Sequence, residues 1–144
     1  MTIDLRPLIR PGDLVVITPG AGEPTALVEA LIAQRHDIGP FRVFTGSAYS
    51  GLFQPEHADL ISFIGLGAVG TNRALVAAGV MDILPVHYSE VPRLLASGPL
   101  KADVALVQLG AEIGRRYSYG AAMGYMPSAV ASARVTARWL RAKT

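Results

Sequence analysis

Cysteine is absent from this chain. No disulfide framework can staple it, and no thiolate can serve as nucleophile or metal ligand. The absence also fits a cytoplasmic setting. Charge is sparse, with Asp, Glu, Lys and Arg making up 17% of the 144 residues against 51% hydrophobic. Yet no apolar run approaches the roughly 18–20 residues that a membrane span needs. The opening "MTIDLRPLIRPGD" carries charges and prolines and lacks an apolar signal core. Long blocks of one charge are missing too. The net charge is only +2, and nucleic acid is not an expected partner. His36, His57 and His87 stand alone without metal-ligand spacing, and no metal site is expected. His36 and His57 fall in stretches that read as exposed.

What remains is an apolar chain of one-domain length, expected to fold as a single unit over residues 1–144. Its apolar excess suits a sheet buried on both faces, together with a further face covered by a partner. Strand-like and helix-like stretches alternate. "DLVVIT" (Asp13 to Thr18), "FRVFTG", "DLISFIGLG", "MDILPVHY" and "ADVALVQLG" read as strands, with Pro85 arguing for an edge or an early strand end. "TALVEALIAQRHD", "TNRALVAAG" and "SEVPRLLASG" read as helices. Thr71 and Ser89 are their expected N-caps, and Gly79 and Gly98 their ends. "RRYSYGAAMGYM" reads as a strand or loop pair. The alanine-rich "PSAVASARVTARWLRA" reads as a last helix. Within it the spacing of Arg134, Arg138 and Arg141, with Lys143 beyond, puts the arginines on one helical face. That face is either solvated or a patch for phosphate or an acidic partner. The alternation predicts an α/β fold: an open, mainly parallel sheet flanked by helices.

In such sheets, ligands bind beyond the carboxyl ends of the strands, and three turns there hold candidate residues. The first is "TPGAGEP", with Gly20, Ala21, Gly22, Glu23 and Pro24. Its glycines allow close backbone approach, and free N–H groups at a helix start attract anions. Glu23 is out of place beside an anion and could cap its own helix. An ordinary tight turn is the plain alternative. The second is "GLGAVG", where Gly65, Gly67 and Gly70 match a dinucleotide fingerprint and Glu90 follows at ribose-acid spacing. Two strands precede it, however, and Glu90 follows Ser89 directly, as a first-turn acid would. The third is "VHYSEVP". There His87 and Ser89 could reach a ligand, His87 as base or hydrogen-bond donor, or else could simply order the loop.

Taken together, "IRPGDLVVITPGAGEPTALVEAL", "ILPVHYSEVPRLLASGPLKADVALVQLG" and "YSYGAAMGYMPSAVASARV" resemble the N-terminal domain of the acetyl-CoA hydrolase/transferase family. That family includes 4-hydroxybutyrate and succinate CoA-transferases. The likeness runs from about Ile9 to Val135, and its middle stretch is the most specific. It implies a sheet of the CoA-transferase type, with acyl-CoA and a carboxylic acid as substrates. It also implies that Gly20 to Pro24, His87 and Ser89 face the acyl or CoA group. In this family a glutamate attacks the acyl-CoA carbonyl, giving a mixed anhydride and then a glutamyl-CoA thioester. The domain that carries that glutamate and a glycine-rich CoA loop has no counterpart in this sequence. None of Glu23, Glu29, Glu56, Glu90 or Glu112 has the nucleophile's context. The resemblance therefore implies a non-nucleophilic subunit of a split CoA-transferase or acyl-CoA hydrolase, in a hetero-oligomer whose other chain supplies the glutamate. A stand-alone acyl-CoA or small-anion binding domain, and a dinucleotide-binding module on "GLGAVG", are the alternatives.

Overall fold

The computed structural model describes residues 2–141. In it the β-branched apolar runs form strands and the stretches between them form short helices. In chain order these are β1 (Leu14–Ile17), α1 (Thr25–Ile38), β2 (Phe41–Phe44), β3 (Ile61–Gly65), α2 (Asn72–Ala77), β4 (Met81–Ile83), α3 (Val91–Ala96), β5 (Val104–Leu109), α4 (Met126–Ser132) and β6 (Val135–Leu140). The strands make one six-stranded sheet in the order β4-β3-β2-β1-β5-β6. Every neighbouring pair is parallel. β1 reads Leu-Val-Val-Ile, and all four residues are buried. A central strand with apolar side chains pointing both ways must be covered on both faces.

Two cores do this. Val15, Ile17, Val43 and Phe63 face Leu27, Val28 and Leu31 of α1 and Leu75 of α2. Leu14, Val16, Phe44 and Ala105 face Val91 and Leu95 of α3 and Met126 and Ala129 of α4. Odd and even strand positions thus divide between the faces, as the two-residue pleat requires. The chain steps outward from β1 to β4 with α1 and α2 on one face. It then returns along the other face through α3 and lays β5 on the free side of β1. Right-handed crossovers demand this change of face when the direction reverses. The reversal lies between β1 and β5. Ligands of such sheets bind beyond the carboxyl ends of the strands near a reversal of this kind.

Several local expectations are corrected. The last segment is not one helix. Pro127 starts a seven-residue helix, α4, and Ala133 is already extended (φ −66°, ψ 142°). β6 then alternates half-buried Val135, Ala137 and Trp139 with exposed Thr136, Arg138 and Leu140. The arginines accordingly share no helical face. Arg134 forms a two-toothed ion pair with buried Asp13 (2.7 and 3.3 Å), Arg138 lies over the Tyr117 ring at 4.7 Å, and Lys143 lies outside the described residues. Ser89 does not cap α3. It sits within a single 3-10 turn, Tyr88–Glu90, and the N-cap position belongs to Glu90. Thr71 is at the start of α2 but donates its hydroxyl to the Ala48 carbonyl instead (2.9 Å). His57 is buried, not exposed, and its Nδ1 accepts from the Gln54 N–H at 3.0 Å. "RRYSYGAAMGYM" is loop, pinned by one antiparallel bridge between Ile113 and Arg116.

Candidate crevice at the carboxyl ends of the strands

The crevice holds about 480 Å³. Its floor is the turn after β1, where Pro19, Gly20 and Ala21 form a single 3-10 turn with Gly22. Gly20 adopts φ +58° and donates its N–H to the Ser47 carbonyl at 2.9 Å. This ties the turn to the loop after β2. The Ala21 N–H has no protein acceptor among the described residues. Opposite stand Ala121, Ala122 and Gly124 of the long loop after β5. Gly22 is where the two loops meet. A Cβ on it would lie 2.7 Å from the Thr18 methyl and 2.8 Å from the Ala122 Cβ. The close approach thus needs glycine for packing. Tyr49, Val69 and Tyr88, all exposed, stand along the rim.

Glu23 neither caps α1 nor enters the crevice. It is 6% exposed, and its carboxylate is fully used. One oxygen accepts the N–H groups of Tyr49 and Ser50, both at 3.0 Å, and the other accepts the Ser50 hydroxyl at 2.7 Å. Charge-assisted bonds of this kind are the stronger class. They lock the β1 turn to the β2 loop from behind. Pro24 is buried at the N-cap position of α1.

Tyr125 performs the same service from the other side. Its ring is fully buried, and its hydroxyl accepts from the Gly46 N–H (2.9 Å) and donates to the Ile17 carbonyl (2.9 Å). Burial pushes this phenol far above its usual range, so it stays a neutral donor. One side chain therefore joins the ends of β1 and β2 to the β5 loop. It also packs edge-on against Phe44, with centroids 5.1 Å apart. Tyr88 lies over Tyr125 at 6.1 Å and carries the rim of the crevice. Burial raises the Tyr88 phenol as well.

The crevice gathers only some of the residues singled out from sequence. Gly20 and Ala21 line it directly, and Gly22 abuts it. His87 and Ser89 are exposed. His87 borders a separate groove with Leu66 and Ile83. The tight turn Tyr88–Glu90 presents Tyr88 to the crevice, not its two neighbours. In "GLGAVG", a Cβ on Gly65 would press the Met81 sulfur at 2.8 Å, and one on Gly70 would collide with the Ala48 carbonyl. These glycines serve loop packing. Glu90 is on the surface, paired with Arg93 at 2.8 Å. Tyr88 and Tyr125 were missed from sequence. Their loops carry no periodicity, and the glycines around Tyr125 are the one signal that could have marked it. Among the described residues no Asp or Glu lines the crevice, no cluster of three His, Asp or Glu side chains could hold a metal ion, and no helix is long and apolar enough to cross a membrane.

No family model matches the chain, and no curated protein does. Solved structures do. RipA from Yersinia pestis aligns with 92% of this chain at a TM-score of 0.83 and 25% identity, over 34% of its own length. A point variant of RipA aligns with 92% at a TM-score of 0.82 and 23% identity, over 33% of its length. A 4-hydroxybutyrate CoA-transferase from Porphyromonas gingivalis aligns with 93% at a TM-score of 0.66 and 21% identity, over 30% of its length. The chain thus spans about a third of the solved structures it matches. Its α/β fold, a six-stranded all-parallel sheet flanked by helices, is of the CoA-transferase type.

Proposed function

We propose that this chain is the non-nucleophilic part of a CoA-transferase or acyl-CoA hydrolase. It binds the acyl or CoA group of an acyl-CoA in the crevice, and a second CoA-transferase-like subunit supplies the glutamate. The carrying observation is what the crevice lacks. It offers backbone, small side chains and phenols, while the one nearby carboxylate, Glu23, is wholly engaged in holding loops. An acyl chain suits such a lining. The Ala21 N–H could donate to a thioester oxygen, where fixed donors stabilise developing charge. Thioester attack by a carboxylate forms a mixed anhydride and releases CoA thiolate; the thiolate then attacks the anhydride to give a glutamyl-CoA thioester and free acid. That attacking carboxylate is expected from the partner. The exposed Tyr49, Val69 and Tyr88 around the mouth agree with a face that a second unit covers.

Structural likeness to a 4-hydroxybutyrate CoA-transferase supports the acyl-CoA and acid substrates. The test is exchange of CoA from an acyl-CoA to acetate. The chain is assayed alone, then with a glutamate-bearing CoA-transferase-like chain. Activity only in the mixture is expected. Full activity from this chain alone rejects the reading, and tight acyl-CoA binding with no activity in any mixture would favour a stand-alone binding domain.

A further inference from the structure

Beside the crevice, a second pocket of about 220 Å³ opens at the carboxyl ends of β5 and β6. Ala21, Ala121 and Ala122 line both spaces, so only small side chains separate them. Three larger polar residues border the smaller one: Gln108 near the end of β5, Tyr119 in the loop that follows, and Arg141 just past β6. Gln108 and Tyr119 are half-buried. Among the described residues none of the three has a side-chain hydrogen bond or ion pair. Their neighbours differ. Arg134 is held by Asp13, Arg138 lies on Tyr117, and the Tyr117 hydroxyl donates to Glu112 at 3.1 Å. Among the described residues no acid lines the pocket.

An amide, a phenol and a guanidinium bordering one space, with no carboxylate among its described lining, offer donors to a negative group. The planar fork of arginine matches carboxylate and phosphate oxygens in pairs. Gln108 and Tyr119 are half-buried and Arg141 is exposed, so all three can turn their donors to a group entering from solvent. The volume suits one such group with a few carbons.

We propose that this pocket is an anion subsite in which Arg141, Gln108 and Tyr119 hold a carboxylate or phosphate group next to the acyl crevice. Anion binding stands on the pocket alone. Only the source of the anion, either the free acid or a phosphate of CoA, rests on the function proposed above.

Trp139 is a built-in reporter. It is the only tryptophan, it pairs in register with Gln108, and it lies two residues before Arg141. The full chain is titrated with acetate, succinate, inorganic phosphate, CoA and dephospho-CoA at constant ionic strength, with chloride as control, while Trp139 fluorescence is read. A saturable response to at least one carboxylate or phosphate, and none to chloride, is expected. Arg141→Ala should weaken it at least tenfold and Arg141→Lys by less. Tyr119→Phe gives a second, milder loss, and circular dichroism verifies that each variant is folded. A response to acids alone assigns the free acid as source, and a stronger response to CoA than to dephospho-CoA assigns the phosphate. Binding that survives Arg141→Ala unchanged, or no saturable response to any anion, overturns the subsite. Since the readout is binding, a failed CoA-exchange assay would leave this result standing and strike only the proposed reaction.

Discussion

Both carboxylate oxygens of Glu23 are taken up by Tyr49 and Ser50, and the residue does not line the crevice. Its value is therefore structural and can be separated from chemistry. Glu23→Gln keeps an oxygen for the two N–H groups and an amide for the Ser50 hydroxyl, which can rotate to accept. It should cost about 1 kcal/mol, the difference between charged and neutral hydrogen bonds. Glu23→Ala leaves those donors unpaired and should cost about 2–3 kcal/mol. Urea unfolding reads both. If Glu23 were instead the attacking group, Glu23→Gln would abolish CoA exchange in the assembled enzyme while scarcely moving the unfolding midpoint. Tyr125→Phe removes one hydroxyl that satisfies two buried backbone groups. The expected loss is about 1–3 kcal/mol, together with weaker acyl-CoA binding by calorimetry, because three loops lose their common tie.

Among the elements, β6 shows how one segment can suggest two structures. Alanine abundance in "PSAVASARVTARWLRA" favours helix on propensity. The decisive features are the β-branched Val135 and Thr136 and the two-residue alternation up to Leu140, which fit a half-covered edge strand. The stakes are the Asp13–Arg134 pair, which fastens the start of β6 to the residue before β1. Burial alone would raise the Asp13 carboxyl, but the Arg134 guanidinium and the Arg10 N–H outweigh it and hold it below its ordinary value of 3.8. A group lowered on folding adds stability that is present above that ordinary value and disappears as pH falls through the lower folded one. Asp13→Asn should thus cost about 1–3 kcal/mol at pH 7. The gap from wild type should shrink steadily below about pH 4. A gap independent of pH would contradict the role given to the pair. Strands β1 to β5 and the turn Gly20–Gly22 were legible in sequence because short apolar runs and turn chemistry are local signals. Tyr125, Tyr88 and Arg141 were not, because they reach the crevice or its neighbour from loops distant in sequence, brought in by the return crossover to β5.

At the scale of the whole molecule, the order β4-β3-β2-β1-β5-β6 decides where chemistry can occur. The one reversal of direction lies between β1 and β5, the crevice opens over the turns after β1, β2 and β3 against the β5 loop, and none of the five glutamates lines it. In the function proposed above, the carboxylate that attacks the thioester therefore comes from a second unit. The measurement that tests this most directly is mass mapping of the covalent intermediate. The chain and a glutamate-bearing CoA-transferase-like chain, the partner proposed above, are incubated with acyl-CoA, the glutamyl thioester is trapped by borohydride reduction, and the modified residue is located. The adduct should sit on a glutamate of the partner, leaving Glu23, Glu29, Glu56, Glu90 and Glu112 unmodified. An adduct on any of those five would contradict the account.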